Sequence, residues 1–223
     1  MKRLLKIVLL GIAAGASIGL GGLAFLACKA QPEAGALGHI AGSFMFSIGL
    51  LCVCSFGFFL FTGKVGYAFD NKPSYLLDLL AGYLGNIIGA EAIGYICFSI
   101  PAFRTGVMGA AAYSIAQTRI SEGFFAPLMW GFICGIFVYV AVDLFKKKPG
   151  VVGTLGLILA VAAFVVIGSE HCIANIFYFS AANSWTWETI LNVLLVTIGN
   201  SLGAIAIRQL VRLTEQKTAE KAE

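Results

Sequence analysis

Gly168-Ser169-Glu170-His171-Cys172-Ile173-Ala174-Asn175 interrupts an apolar stretch that runs from Thr154 to Ala182. Neither Thr154 to Gly168 before His171 nor Ile176 to Ala182 after it contains a charged residue. The whole run, about 150–181, exceeds the ~20 apolar residues that one straight helical crossing of a bilayer needs. An ionisable side chain at mid-membrane costs roughly 2.5–3.5 kcal/mol on insertion scales, so it normally faces a bundle interior or a wet cavity. The stretch therefore reads as a membrane helix broken at its middle, with His171 at the break.

The rest of the chain agrees. Of its 223 residues 59% are hydrophobic and 12% charged, and its mean hydropathy is +0.91. Too few polar side chains remain to cover a water-soluble surface. Six spans are predicted, at about 5–28, 40–69, 75–100, 123–145, 150–181 and 187–211, within one transmembrane domain (1–211) followed by a polar tail (212–223). The second, like the fifth, is too long for one straight crossing. No small-residue cleavage site follows the first, which reads as a span and not a removable signal.

If the spans alternate, one side collects Lys2, Arg3, Lys6, Lys64, Lys72, Lys146, Lys147, Lys148, Arg208, Arg212, Lys217 and Lys221. The other has Lys29, Arg104 and Arg119. Twelve against three predicts both termini in the cytoplasm of a multi-pass protein of the inner (cytoplasmic) membrane, with lipid around it. The net charge of +4 follows from this topology and gives no ground for nucleic acid. The six cysteines fall in or beside apolar runs, and with only His39 and His171 there is no metal-ligand spacing. Neither a metal nor a cofactor is expected.

Gly85-Asn86-Ile87-Ile88-Gly89-Ala90 recurs as Gly199-Asn200-Ser201-Leu202-Gly203-Ala204, an offset of 199 − 85 = 114 residues. Both copies fall in the third span of a three-span half, and Ser55 and Ser169, also 114 apart, mark the two overlong segments. Three spans per half place the second half upside down relative to the first. This 3+3 inverted repeat, about 5–100 and 123–211, is the architecture in which midplane sites form from broken helices. Glycines at Gly11, Gly15 and Gly19, and at Gly82, Gly85 and Gly89, suit either close helix packing or a pore wall.

Helical spacing puts Phe164, Gly168 and Asn175 on the face of His171, with Phe164 about 10 Å along the axis. In the second span Phe46, Leu50, Gly57 and Phe61 share a face that ends at Leu60-Phe61-Thr62-Gly63-Lys64, where glycine breaks the helix. If the two faces meet, an imidazole and the Thr62 hydroxyl lie between bulky apolar rings, a narrow dry filter with one polar step. A buried structural histidine bonded to Thr62 or to a carbonyl is the alternative. Glu170 points about 100° from His171 on a helix, so it is expected to cap freed amides or pair elsewhere. Glu91 reads as an interhelical or subunit contact and Asp78 as interfacial. Tyr178, Trp185 and Trp187 read as an interfacial belt. Small residues from Gly106 to Ala116 suggest a partial helix in the long connection 101–122.

The run Glu170-His171-Cys172-Ile173-Ala174-Asn175, Leu60-Phe61-Thr62 and the two Gly-Asn motifs resemble the formate/nitrite transporter family, in order and over nearly the whole chain. The resemblance implies an aquaporin-like all-α fold of six helices with helices 2 and 5 interrupted, one pore per protomer, and a homopentamer. Family members pass formate, nitrite, hydrosulfide or, in some branches, lactate. By motif, His171 is similar to the family's central pore histidine and Thr62 to the threonine after its broken second helix. Phe46, Leu50, Phe61 and Phe164 match its constrictions, with Leu60, Gly63, Glu170 and Asn175 as supporting residues. Arg119 matches a position where many members carry a lysine that draws anions into the outer vestibule. In two places the chain departs from the pattern. Gly135 stands where an asparagine often lines the pore, and Phe59 replaces an acidic residue before Leu-Phe-Thr.

Passage of a small weak-acid anion, with proton coupling at His171, is the leading expectation. An aquaporin-like channel for neutral solutes is a second reading, although neither Asn86 nor Asn200 is followed by proline. An intramembrane enzyme using Cys172 or His171 lacks a nucleophile–base–orienter set. A purely structural membrane subunit is the fourth.

Overall fold

The computed structural model describes residues 2–31 and 33–220, with side chains through residue 215. Among the described residues five helices are long and apolar enough to cross a membrane: α1 (Lys2–Lys29), α2 (Gly35–Phe56), α3 (Tyr75–Ser99), α6 (Phe125–Lys147) and α9 (Trp187–Glu220). The sixth crossing is made by two short helices end to end, α7 (Val151–Val166) and α8 (Cys172–Ala181). Between α3 and α6 lie α4 (Pro101–Arg104) and α5 (Val107–Ser121), the partial helix expected there. Ala112 and Ala116 bury α5 in the core. All regular structure among the described residues is helical.

Helix pairing shows the repeat. α1 packs on α3 and α2, and α6 packs in the same way on α9 and α7. A Cβ on Gly15 would meet the Asn86 carbonyl oxygen at 2.1 Å, and one on Gly135 would meet the Asn200 carbonyl oxygen at 2.2 Å. The two contacts are equivalent, 135 − 15 = 120 residues apart on the glycine side and 200 − 86 = 114 on the asparagine side. Close backbone approach thus explains Gly11, Gly15, Gly85 and Gly89, while Gly19 and Gly82 make room for the side chains of Ile93, Phe177 and Phe59; the stripes are packing seams and not pore wall. It also corrects the expectation for Gly135, which faces α9 and leaves no room for an asparagine.

Both overlong segments break at a glycine in the left-handed region, Gly57 at φ +68° and Gly168 at φ +78°, conformations that disfavour a side chain. After Gly57 the chain is non-helical as far as a short 3₁₀ helix, Val65–Asp70. After Gly168 it re-enters as α8 with His171 as N-cap. The apolar residues facing outward, such as Leu9, Leu20, Leu84, Ile88, Leu194 and Ile198, suit lipid or another protein.

One end of the bundle carries a band of ion pairs: Arg3 with Asp78, Lys147 with Asp143 and Glu215, and Arg208 with Asp70. Asp78, expected at the interface, is buried against α1 by its pair. The Glu215 pairs fasten the first polar turn of the expected tail, and α9 runs on through residue 220. Residues 221–223 lie outside the described residues.

Candidate functional site

Two asparagines hold the broken segments. The Asn86 Oδ1 accepts from the Phe61 N–H at 2.8 Å, while its Nδ2 donates to the Phe59 and Gly11 carbonyls at 2.8 and 2.9 Å. The Asn200 Oδ1 accepts from the Cys172 N–H at 3.0 Å, and its Nδ2 donates to the Glu170 and Gly131 carbonyls at 2.9 and 2.8 Å. Backbone freed from a helix in apolar surroundings must find such partners. The Gly-Asn repeat therefore does more than pack: its asparagines replace the hydrogen bonds lost where the helices stop.

Between the stapled segments lies Leu60 on one side and His171 on the other, each the middle residue of its segment. Around them a gap of about 10 Å³ is closed by Ile18, Phe46, Leu50, Val138, Val161 and Phe164. Three of the pairs are related by the repeat: Ile18 with Val138, Leu50 with Val161, and Leu60 with His171. The Phe46 and Phe164 rings meet edge to face, centroids 6.0 Å apart. Phe164 sits 6.2 Å from the imidazole, nearer than helical spacing suggests because the chain turns back between them. Phe61 is absent from this gap. Its ring packs on Tyr83 at 4.8 Å, so Leu60 stands where Phe61 was expected. The helical face that assigned Phe61 to the pore ends at Gly57. Gly63 belongs to the segment after the break and lines the cavity beyond Leu60.

The Thr62 Oγ1 lies 2.8 Å from the His171 Nε2, and the His171 Nδ1 accepts from the Ala174 N–H at 3.3 Å. An Nδ1 that accepts places the single ring proton of neutral imidazole on Nε2. Nε2–H then donates to Thr62, whose hydroxyl hydrogen is left for another acceptor. With both ring nitrogens engaged, His171 has none to serve Cys172 as a base, which removes the geometric ground for a His–Cys dyad.

On the side of α5 the gap opens into a cavity of about 300 Å³ lined by Lys29, His39, Phe46, Arg119, Glu122, Phe164, His171, Asn175 and Tyr178, among others. Arg119 Nη1 donates to the Gly168 carbonyl at 3.0 Å and to the Glu122 Oε1 at 3.3 Å, and lies 3.7 Å from the Glu170 Oε1. The Glu170 Oε2 accepts from Asn175 at 2.6 Å and from Asn192 at 2.9 Å. Glu170 thus pairs away from His171, as expected, and its carboxylate is held by an arginine and two amides. Phe59 occupies the related position in the other half, where Gly82 makes room for its ring. Tyr178 is buried beside Phe25 in this vestibule rather than in an interfacial belt.

Reasoning from sequence missed Glu122, Lys29 and Asn192. Burial, and next the Glu170 carboxyl beside it, push the Glu122 carboxyl up to about 7. The one sequence signal of Asn192 is an amide inside an apolar span. Its partners Asn175 and Glu170 lie 17 and 22 residues away, beyond any helical spacing. Lys29 closes α1 at the vestibule rim, over the Phe25 ring at 5.7 Å.

The family model described as "Formate/nitrite transporter" matches residues 1–214. The chain is 28% identical to a "Probable formate transporter" of Methanothermobacter thermautotrophicus, covering 89% of this chain and 84% of the relative. It is 29% identical to the "Formate channel BtFdhC" of Bacillus thuringiensis, over 91% and 83%. A solved "Pentameric formate channel with formate bound" superposes with a TM-score of 0.83 at 25% identity, covering 96% of this chain and 98% of that one.

Proposed function

Since the chain belongs to the formate/nitrite transporter family, we propose that it passes a small monovalent weak-acid anion (formate, nitrite or hydrosulfide) across the cytoplasmic membrane. Membership makes it a multi-pass membrane transport protein and not an enzyme. The proposed assembly is a homopentamer in lipid with one pore per protomer and both termini in the cytoplasm. Its solved likeness is pentameric.

The reading is carried by one observation: the Thr62–His171 hydrogen bond of 2.8 Å stands between a polar vestibule and a dry gap. Lys29, which forms no ion pair among the described residues, raises the anion concentration outside it, and Arg119 adds to this only what Glu170 and Glu122 leave uncompensated. The Phe46 and Phe164 rings then remove its water, and a bare anion in such surroundings is costly. Two features lower that cost. The amino terminus of α8 directs its positive end at the gap, and the Thr62 hydroxyl has its hydrogen to offer an entering oxygen. Protonation to the neutral acid at this pair removes the remaining charge, which couples proton and anion passage at His171.

Uptake of formate, nitrite and hydrosulfide into proteoliposomes at two pH values tests the proposal. His171→Asn is expected to lower flux and to flatten its pH dependence. Unchanged rates and pH profile in this variant would overturn the histidine's role, and wild-type protein that moves none of the three anions would overturn the substrate class.

A further inference from the structure

Beyond Leu60, on the face that carries the amino terminus, lies a second cavity of about 200 Å³. Leu60 lines both this cavity and the dry gap, so the cavity is the other mouth of the same passage. Its walls are Val53, Phe58, Val142 and Phe145, and its polar groups include the side chains of Lys64 and Lys146. They come from different elements, the segment after the first break and the last turn of α6.

Neither lysine forms an ion pair with a carboxylate among the described residues, although acids are at hand. Lys147 takes Asp143 and Glu215, Arg208 takes Asp70 and Glu215, and Arg212 takes Asp70. The described cations that line this cavity are thus left to aromatic faces: the Lys64 Nζ lies 5.8 Å from the Phe59 ring centroid and the Lys146 Nζ 4.4 Å from that of Tyr67. Ring faces hold a cation in place without neutralising it, and the carboxylate that does act on Lys146, that of Asp143, is shared with Lys147 and the Tyr67 hydroxyl. Two like charges facing one apolar-walled cavity repel each other, and an anion between them relieves the repulsion.

We propose that Lys64 and Lys146 form a second small-anion site at the inner mouth, taking a monovalent carboxylate or similar anion on its way to or from the cytoplasm. With it the passage has a cationic station at each end and a dry gap between. The site's direction of service rests on the transport reading above; its binding of an anion does not.

The test has two arms on the full-length protein. In neutral detergent, acylation of lysines by an amine-reactive reagent is followed by peptide mass spectrometry with and without formate. Formate is expected to protect Lys64 and Lys146 but not Lys147, whose carboxylates already hold it. In oriented proteoliposomes, Lys64→Gln and Lys146→Gln are each expected to raise the KM for formate presented at the cytoplasmic face about fivefold, the size of one exposed ion-pair interaction. The KM at the opposite face stays the same, and Lys64→Arg restores the cytoplasmic one. Labelling indifferent to formate would overturn the site, as would protection by phosphatidylglycerol alone, which assigns the lysines to lipid headgroups. A KM that rises equally at both faces would overturn it too. Protection by formate in a protein that conducts no formate would keep the site and sink the transport reading instead.

Discussion

Asn86 and Asn200, 114 residues apart, make the same three hydrogen bonds in opposite halves of the molecule. Each ties the residues that flank Leu60 or His171 to a glycine carbonyl on the first helix of its half. The equivalence makes the pair testable. Removing either amide orphans one N–H and one carbonyl at the break, since the Gly11 and Gly131 carbonyls lie inside α1 and α6 and keep their helical bonds, at about 1–3 kcal/mol for each group left unsatisfied. Asn86→Ala and Asn200→Ala are therefore expected to lower thermal stability in detergent by similar amounts. A variant that melts with the wild type would show that its staple is dispensable.

Thr62 is expected to act through its hydroxyl and not its shape. Thr62→Val keeps the volume but leaves the His171 Nε2–H without an acceptor. Formate flux is expected to fall about tenfold, equivalent to about 1.4 kcal/mol, with Thr62→Ser retaining most of it. Initial uptake rates at matched protein density decide this, and equal rates for the valine and serine variants would contradict it.

Glu122 is expected to set a pH dependence separate from the one proposed for His171. Its carboxyl is raised by burial and by Glu170 to about 7, so it is neutral below that pH and ionised above it. When it ionises, the vestibule gains a negative charge beside Arg119 and holds anions less well. The KM for anion at the vestibule face is thus expected to rise as pH goes through about 7, and Glu122→Gln removes the step. Stability has the matching sign. Between the ordinary carboxylate value and about 7 the folded protein binds the extra proton, so stability falls as pH rises through that window, and the glutamine variant lacks the slope. Thermal melts across this range check the second half independently of transport.

Gly135→Asn would supply the residue that the family resemblance led one to expect. Because even a Cβ there meets the Asn200 carbonyl oxygen at 2.2 Å, the variant is expected to separate α6 from α9 and to lose folded yield. Overpacking of this kind typically costs about 1–3 kcal/mol. Size-exclusion profiles and thermal melts provide the comparison, and a wild-type profile would mean that α6 rotates to accept the side chain.

The broken helices, His171 and Thr62 were legible because glycine and polar residues stand out inside apolar runs too long for one span. The Phe46, Leu50 and Phe164 constriction was legible from helical faces, since all three lie where helices persist. Phe61 was not, because helical spacing says nothing about direction once the chain leaves the helix at Gly57. The same limit hid the staples. In a sequence rich in small residues, Asn86 and Asn200 look like part of a packing motif until the carbonyls they serve come within reach. Gly135 shows that an aligned position carries no information about which face it presents. Glu122 and Lys146 lie far in sequence from the partners that give them meaning, Arg119 apart.

A gap of about 10 Å³ beside Leu60 is at the lower bound of what one water molecule fills, and a water there needs two or more polar partners. Leu60 provides none, and on the other side both ring nitrogens of His171 are already engaged, which leaves the Thr62 hydroxyl hydrogen as a single partner. No file of water can thread the closed passage, and without such a file protons have nothing to hop along. On the transport reading proposed above, protons would cross only together with the anion they accompany, and a membrane that holds this protein would have no open proton leak through it.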